Sequence, residues 1–480
     1  MIGDPRSQSA DPAGVARLFD PARLTQARRI NKMSKTELHR KVGVSAAAIG
    51  QYERGEVRPR AETVTALADA LRVPPGFFAL GRPRAQVDIA EASFRRLRST
   101  SVAQQQQATA YVEQAWELAC YLEESVEFPE VDLPEWASAD SADVPDPVTA
   151  AQAVRRHWSL GSEPIRHLVY QIEQHGILTV FFSMKQDDNL DEKSRIDAFS
   201  TTALPRPMIV LTPDKANDVM RHRFSAAHEL GHIVLHHGRQ GTDSQVERQA
   251  DMFAAEFLTP RDVIANELPK RINFNRYEQI SQRWGVSVAS LLYRSRELDL
   301  LSESTVRRGY ITLNSLPRRS MPIRDFPGER PELLKSAINL LDGAGVNLVQ
   351  IAADLQMTPR HVRRLADIDD PQPKLTLVPN QPGDPNSALP HEFMQKKEKN
   401  IMGKPNKRVV QQRDDGDWEV RKPGAARASA VTPTQADGIG RARTILGNDG
   451  GGELQVRSKK GTIRAQDTID PGNDPRTSKG

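Results

Sequence analysis

Residues 221–263 read RHRFSAAHELGHIVLHHGRQGTDSQVERQADMFAAEFLTPRDV, and this stretch decides the architecture of the middle of the chain. His228 and His232 stand at i and i+4, so on a helix both imidazoles leave the same face and can grip one ion. Glu229 lies one step round, where a carboxylate can take a proton from water held on that ion. A metal there would acidify its water and polarise a carbonyl, which is hydrolytic chemistry. With 11 His in 480 residues, an accidental H-E-x-x-H is on the order of a one-in-a-hundred event. The small, apolar flanks FSAAHELGHIVL and the acidic pair downstream make an accident rarer still.

Two histidines do not complete a metal site. A metzincin would carry Gly at 235 and His at 238, but the chain has Leu235 and Gly238. Glu247 follows within VERQADMFAAEF, with Asp251 four residues further on. This E-x-x-x-D pair on a second helix suits a gluzincin arrangement, with Glu247 as ligand and Asp251 orienting a ligand imidazole. His236, His237 and Glu256 are alternatives for the third ligand. Glu256 points roughly 180° away from Glu247 on a straight helix. Donors of the His₂Glu type favour Zn2+. No residue stands out for steadying a substrate carbonyl; His175, His222 and Arg223 are the candidates.

Outward from this stretch, ILTVFFSM (177–184) and PMIVLTP (207–213) are short, β-branched and bounded by turns, and predict strands. Helical patterns cover 148–158, 221–301 and 332–367. Residues 102–126 predict one long helix, and the Pro- and acid-rich FPEVDLPEWASADSADVPDP (128–147) reads as a linker. Residues 369–406 are rich in Pro, Asn and Gly and read as a flexible linker. Beyond them, strands near 409–412 and 418–421 flank DDGD, a helix covers 434–446, and two strands follow near 454–456 and 462–464.

A second informative stretch is MSKTELHRKVGVSAAAIGQYERGEVRPRAETVTALADALRV, residues 33–73. Leu38 and Val42 on one helix, and Val44 and Ile49 on the next, form an apolar lock. Gly43 supplies the positive φ of a tight turn, and Ser45 is a good N-cap for the second helix. That is the layout of a helix-turn-helix, which aims its second helix into the major groove. Two later segments share the pattern. Gly285-Val286-Ser287 repeats the turn, but the Trp284 flank favours packing. In 351–368 Gln356 replaces the turn glycine, and Arg360, His361, Arg363 and Arg364 read most plainly as a solvated face.

Charge supports this division. The chain totals +4, yet residues 1–90 carry +6, residues 101–150 carry −11 with no Lys or Arg, and residues 391–480 carry +6. A basic N-terminus beside an acidic stretch points to a nucleic-acid contact there. One cysteine excludes a disulfide framework and any cysteine-based zinc cluster. No apolar run approaches the roughly 18–20 residues that span a bilayer, the best being Ile177–Met184, and the polar N-terminus carries no signal-peptide core. A cytoplasmic protein with no membrane contact is expected.

Residues 22–80 resemble the XRE (Cro/CI-type) helix-turn-helix family. RFSAAHELGHIVLHH followed by ERQADMFAAEFLTP resembles the ImmA/IrrE metallopeptidase family, over about 150–300 and including Asp197-Ala198-Phe199-Ser200. Phe94–Ser99 before the long helix also matches such fused proteins. The first resemblance implies that Lys35 contacts the DNA backbone and that Ala46, Ala47, Gly50 and Gln51 face the groove, with phosphates held by Arg28, Lys35, Arg54, Arg58 and Arg60. It also implies a homodimer on double-stranded DNA. The second implies a zinc-dependent endopeptidase that cuts a repressor-type protein, or itself, in a stress or mobile-element response. The alternative is a non-catalytic regulator whose zinc fold is a sensor or dimerisation platform. Residues 403–470 resemble a small uncharacterised bacterial domain family.

The expected fold is multidomain and mainly α. A flexible arm (1–20) precedes an all-α helix-turn-helix (21–82) and a helical and acidic linker (83–147). An α+β gluzincin-like metallopeptidase domain (148–305) then carries a helical extension (306–368). A flexible linker (369–402) leads to a small α+β module with a frayed tail (403–480).

Overall fold

The computed structural model describes residues 11–81, 83–85, 87, 101–137, 145–182, 198–212, 218–236, 243–315, 321–323, 326, 328–370, 406–413, 415–423, 425, 427–449, 452–457 and 463–469. Phe94–Ser99, Asp197, His237 and most of the expected linker at 369–402 lie outside these residues. The chain divides into two compact units, 1–372 and 373–480. It is multidomain and mainly helical, as the sequence predicts.

The first unit opens with α1 (Pro12–Leu18), α2 (Pro21–Ile30), α3 (Lys35–Val42), α4 (Ala46–Arg54) and α5 (Ala61–Leu71). Ser34 and Glu37 cap α3 reciprocally, Gly43 turns the chain at φ 78°, and Ser45 Oγ accepts the Ala48 N–H to start α4. Val15, Leu24, Leu38, Ile49, Val64 and Phe77 lie together in this subdomain's core.

Next come α6 (Val102–Glu123), α7 (Pro147–His157), α8 (Leu168–Gln174), β1 (Leu178–Phe181), β2 (Ala198–Thr201) and β3 (Met208–Leu211). The sheet order is β1-β3-β2, with β1 parallel and β2 antiparallel to β3. Strand periodicity divides MIVL cleanly. Ile209 and Leu211 enter one core with the helices that come after them in the chain, while Met208 and Val210 enter another. Covered on both faces, β3 is continuously apolar.

The first of those cores joins α7 and α8 to α9 (Val219–His236), α10 (Asp243–Leu258), α11 (Arg261–Glu267), α12 (Phe274–Trp284), α13 (Val288–Glu297) and α14 (Glu303–Ser315). The turn at Gly285 belongs to it, with Tyr277, Ile280, Trp284 and Leu291 buried, so the second glycine turn is a packing element. The other core joins α6 to α15 (Leu333–Gly343), α16 (Leu348–Asp354) and α17 (Pro359–Leu365).

The reading of 83–147 as a linker therefore needs correction. Over its described part, α6 is a central element, with Tyr111, Val112, Ala115, Leu118 and Leu122 buried. Its buried polar residues find partners instead of water. Arg23 pairs with Glu117 at 2.8 Å, Gln26 donates to Glu113 at 2.9 Å, and Gln107 donates to the Ile30 carbonyl at 3.1 Å. The acidic run also packs, since Trp158 Nε1 donates to Asp132 O at 2.8 Å and Arg206 to Pro129 O at 2.6 Å.

The second unit holds β4 (Lys407–Gln412), β5 (Trp418–Arg421), β6 (Ala430–Thr432), α18 (Gln435–Asn448), β7 (Gly452–Arg457) and β8 (Ile463–Ile469). Its sheet runs β6-β5-β4-β7-β8, with β4 and β7 parallel. Val410, Trp418, Val420, Leu454 and Val456 meet Ala442 and Leu446 of α18. Gly438 lets α18 sit close to the sheet, since a Cβ there would stand 3.1 Å from Val410 Cγ1 and 3.2 Å from Thr432 Oγ1.

Candidate metal centre

Helix α9 carries the H-E-x-x-H run, and its closeness to α10 rests on one missing side chain. A Cβ at Gly231 would stand 3.0 Å from Phe253 Cδ1 and 3.3 Å from Ala250 Cα. Glycine at that position, facing alanine, lets the two helices approach until residues of α10 reach the imidazoles of α9. Ala226, Ala227, Ala250 and Ala254 are all fully buried around this contact.

The donors converge. His228 Nε2 and His232 Nε2 are 2.9 Å apart, and the two Glu247 carboxylate oxygens lie 3.4 Å from one nitrogen each. Ligand atoms of His228, Glu229 and His232 all fall within 4.8 Å of one another. Behind His228, Nδ1 donates to Asp251 Oδ1 at 2.7 Å. A carboxylate only accepts, so Nδ1 carries the proton and Nε2 presents a lone pair. Behind His232, Nδ1 meets His236 Nδ1 at 3.1 Å, and His236 Nε2 donates to Gln249 Oε1 at 3.0 Å. A neutral His236 then accepts from His232 Nδ1, which leaves the His232 Nε2 lone pair facing the same point. Two lone pairs and a carboxylate aimed at one spot repel unless a cation lies between them. The chemistry of this donor set fits a small divalent ion, with outer partners fixing both tautomers.

Glu229 is buried, and Ser200 Oγ on β2 donates to its Oε2 at 2.8 Å. Ser200 belongs to a run that the sequence resemblance contained, but its contact with Glu229 was not foreseen. The outer partnership of His236 was missed as well, although its i+4 spacing from His232 was the available signal.

Other sequence candidates stand elsewhere. Glu256 is fully buried in an ion pair with Arg294, and His236 lies behind His232, so neither takes the third-ligand position. His222 donates from Nε2 to the Glu329 carbonyl at 2.8 Å, and burial pushes it down to about 4. Arg223 is tied to Glu329, Gly285 O and Ile165 O. His175 donates to Asp132 at 2.8 Å and stacks on Trp158. These three brace the fold and do not face the imidazole pair.

On the helix-turn-helix, Ala47, Gln51, Arg54 and Arg58 are exposed and Ala46 is half-buried. Lys35 Nζ lies 3.1 Å from Glu53, Arg54 pairs with Glu56, and Arg58 donates to Arg17 O at 2.6 Å. Arg28, expected on a phosphate, is instead buried against Glu53 and Met33 O. Gly50 is covered by the side chains of Arg54 and Lys35, which gather over the start and middle of α4.

A helix-turn-helix ahead of an H-E-x-x-H helix clamped to an E-x-x-x-D helix defines the class: a DNA-binding regulator type of protein with a metallopeptidase-type domain. Comparison with protein families agrees segment by segment. Residues 24–78 match the helix-turn-helix model, residues 172–296 match the IrrE N-terminal-like domain of peptidase family M78, and residues 407–469 match an uncharacterized protein family conserved in bacteria, DUF2188. No curated protein matches the chain. No helix among the described residues is long and apolar enough to cross a membrane.

Proposed function

We propose that this chain is a cytoplasmic transcriptional regulator that binds double-stranded DNA as a homodimer and carries a zinc-dependent endopeptidase. Its substrate is a repressor-type protein or the chain itself. The observation that carries the reading is the convergence of His228 Nε2, His232 Nε2 and the Glu247 carboxylate on one point beside Glu229. His228, His232 and Glu247 would hold the ion. When bound, it supplies Lewis-acid activation of water and of a peptide carbonyl.

The chain's own residues do the rest. Asp251 holds the proton on His228 Nδ1 and keeps that ring turned toward the centre. Glu229 is the base, and the Ser200 hydroxyl on Oε2 orients it so that its other oxygen can take a proton. On the DNA reader, Lys35, Arg54 and Arg58 supply phosphate contacts, while Ala46, Ala47 and Gln51 meet base edges beyond the Ser45 cap. The test incubates zinc-loaded wild type and Glu229→Gln with candidate repressor proteins. Cutting by wild type alone is expected. If neither chain cuts a partner or itself while DNA binding persists, the peptidase reading fails.

A further inference from the structure

A cavity of about 410 Å³ lies in the seam between the DNA reader and the sheet-bearing domain. That is ample for a small organic ligand, whose pockets run from about 300 Å³ upward. One wall comes from the ends of α2 and α5, with Ile30, Asn31, Arg72 and Val73; the other comes from α17 and the residues just past its C-terminus, with Arg360, Arg363, Arg364 and Ile368. The lining holds four arginines against two carboxylates, Asp369 and Asp370. Asp370 lies 3.7 Å from Arg360 and 3.8 Å from Arg363, at ion-pair range but beyond hydrogen-bond range. Arg72 caps the C-terminus of α5 in the left-handed region at φ 54°. Ile30, Val73 and Ile368 are half-buried and give the cavity an apolar side.

We propose that this seam binds a small organic oxyanion, a phosphate- or carboxylate-bearing metabolite with an apolar body, and thereby clamps the DNA reader to the rest of the first unit. Arginine forks match such oxyanions bidentately, and the apolar side takes the remainder of the molecule. Because the arginines come from both walls, an occupant bridges the reader and the domain behind it. Occupancy is then linked to how the reader is held, and through it to DNA affinity.

The test titrates adenosine monophosphate and citrate into the full chain by calorimetry. At least one should bind wild type with Kd below about 1 mM. Binding should weaken at least tenfold in an R360E/R363E double variant and in R72A, and stay unchanged in R307E, whose side chain is exposed on α14. The single exposed change R72A keeps the test valid if the double variant folds poorly. No binding of either probe to wild type, or unchanged binding in R72A, overturns the bridging site. A random DNA duplex separates the other source of phosphate. If R360E/R363E loses duplex affinity as severely as Lys35→Glu, backbone phosphates fill the seam and the proposal falls.

Discussion

Asp251 decides which nitrogen of His228 carries the proton. Asp251→Asn is expected to cost about 10–100-fold in zinc affinity, measured by chelator competition; unchanged affinity would remove its orienting role. Glu229→Gln should keep the zinc and lose about 10²–10⁴-fold in cutting rate. A different carboxylate governs pH behaviour. Glu173 is buried, accepts the Glu332 and Leu333 N–H groups, and is pushed by burial to about 8. Its pKa is raised on folding, so its stabilisation is complete below the unfolded value near 4.5 and fades as pH rises through about 8. Glu173→Gln keeps a carbonyl oxygen for both amides, so its melting temperature should fall less than wild type's between pH 5 and 9. Equal slopes would exonerate Glu173. His228 with His232, and Glu247 with Asp251, were legible because i, i+4 spacing puts each pair on one helix face, and Glu229 because it sits one step round from the first pair. Ser200 was not, since only sheet topology brings β2 beside α9. Nor was the burial of Arg28, which depends on a neighbour 25 positions away.

At the scale of elements, the α9–α10 contact tests the account of Gly231. Gly231→Ala should destabilise by about 1–3 kcal/mol in urea unfolding, through overpacking against Phe253 and Ala250. A neutral outcome would mean that the helices can part without cost. In the DNA reader, Arg54→Ala should weaken binding equally on all sequences and reduce the slope of log affinity against log salt by about 1. A change confined to one sequence would instead make Arg54 a base reader. The turn signals at Gly43, Gly55 and Gly285 were legible because a positive φ selects glycine. The role of α6 was not. Its glutamines and glutamates suggest a solvated spacer until Arg23, Gln26 and Ile30 are seen to meet them.

Across the whole molecule, the DNA reader is joined to the rest of the first unit through buried polar groups more than through an apolar seam. Glu117→Ala would leave Arg23 charged and unpaired in the interior, at a cost of about 3–5 kcal/mol, whereas Arg23→Met with Glu117→Leu should recover most of it. Chemical unfolding of the single and the double variant checks this; a double variant as unstable as Glu117→Ala would rule out the coupling. The same helix that receives Arg23 shares its core with the β1–β3 sheet and with α15–α17: Tyr111 packs against Phe182 at 4.4 Å between ring centroids, and Tyr111 Oη donates to Arg364 O at 3.1 Å across 253 positions. During synthesis the reader, α6 and the sheet leave the ribosome before α15–α17 exist to complete that core. A nascent chain halted before α17 has the sheet's half of this core but lacks Val362 and Leu365, an incomplete apolar surface of the kind that holdase chaperones shield. Production of this protein should therefore be more sensitive to truncation between 300 and 365 than to loss of the entire second unit.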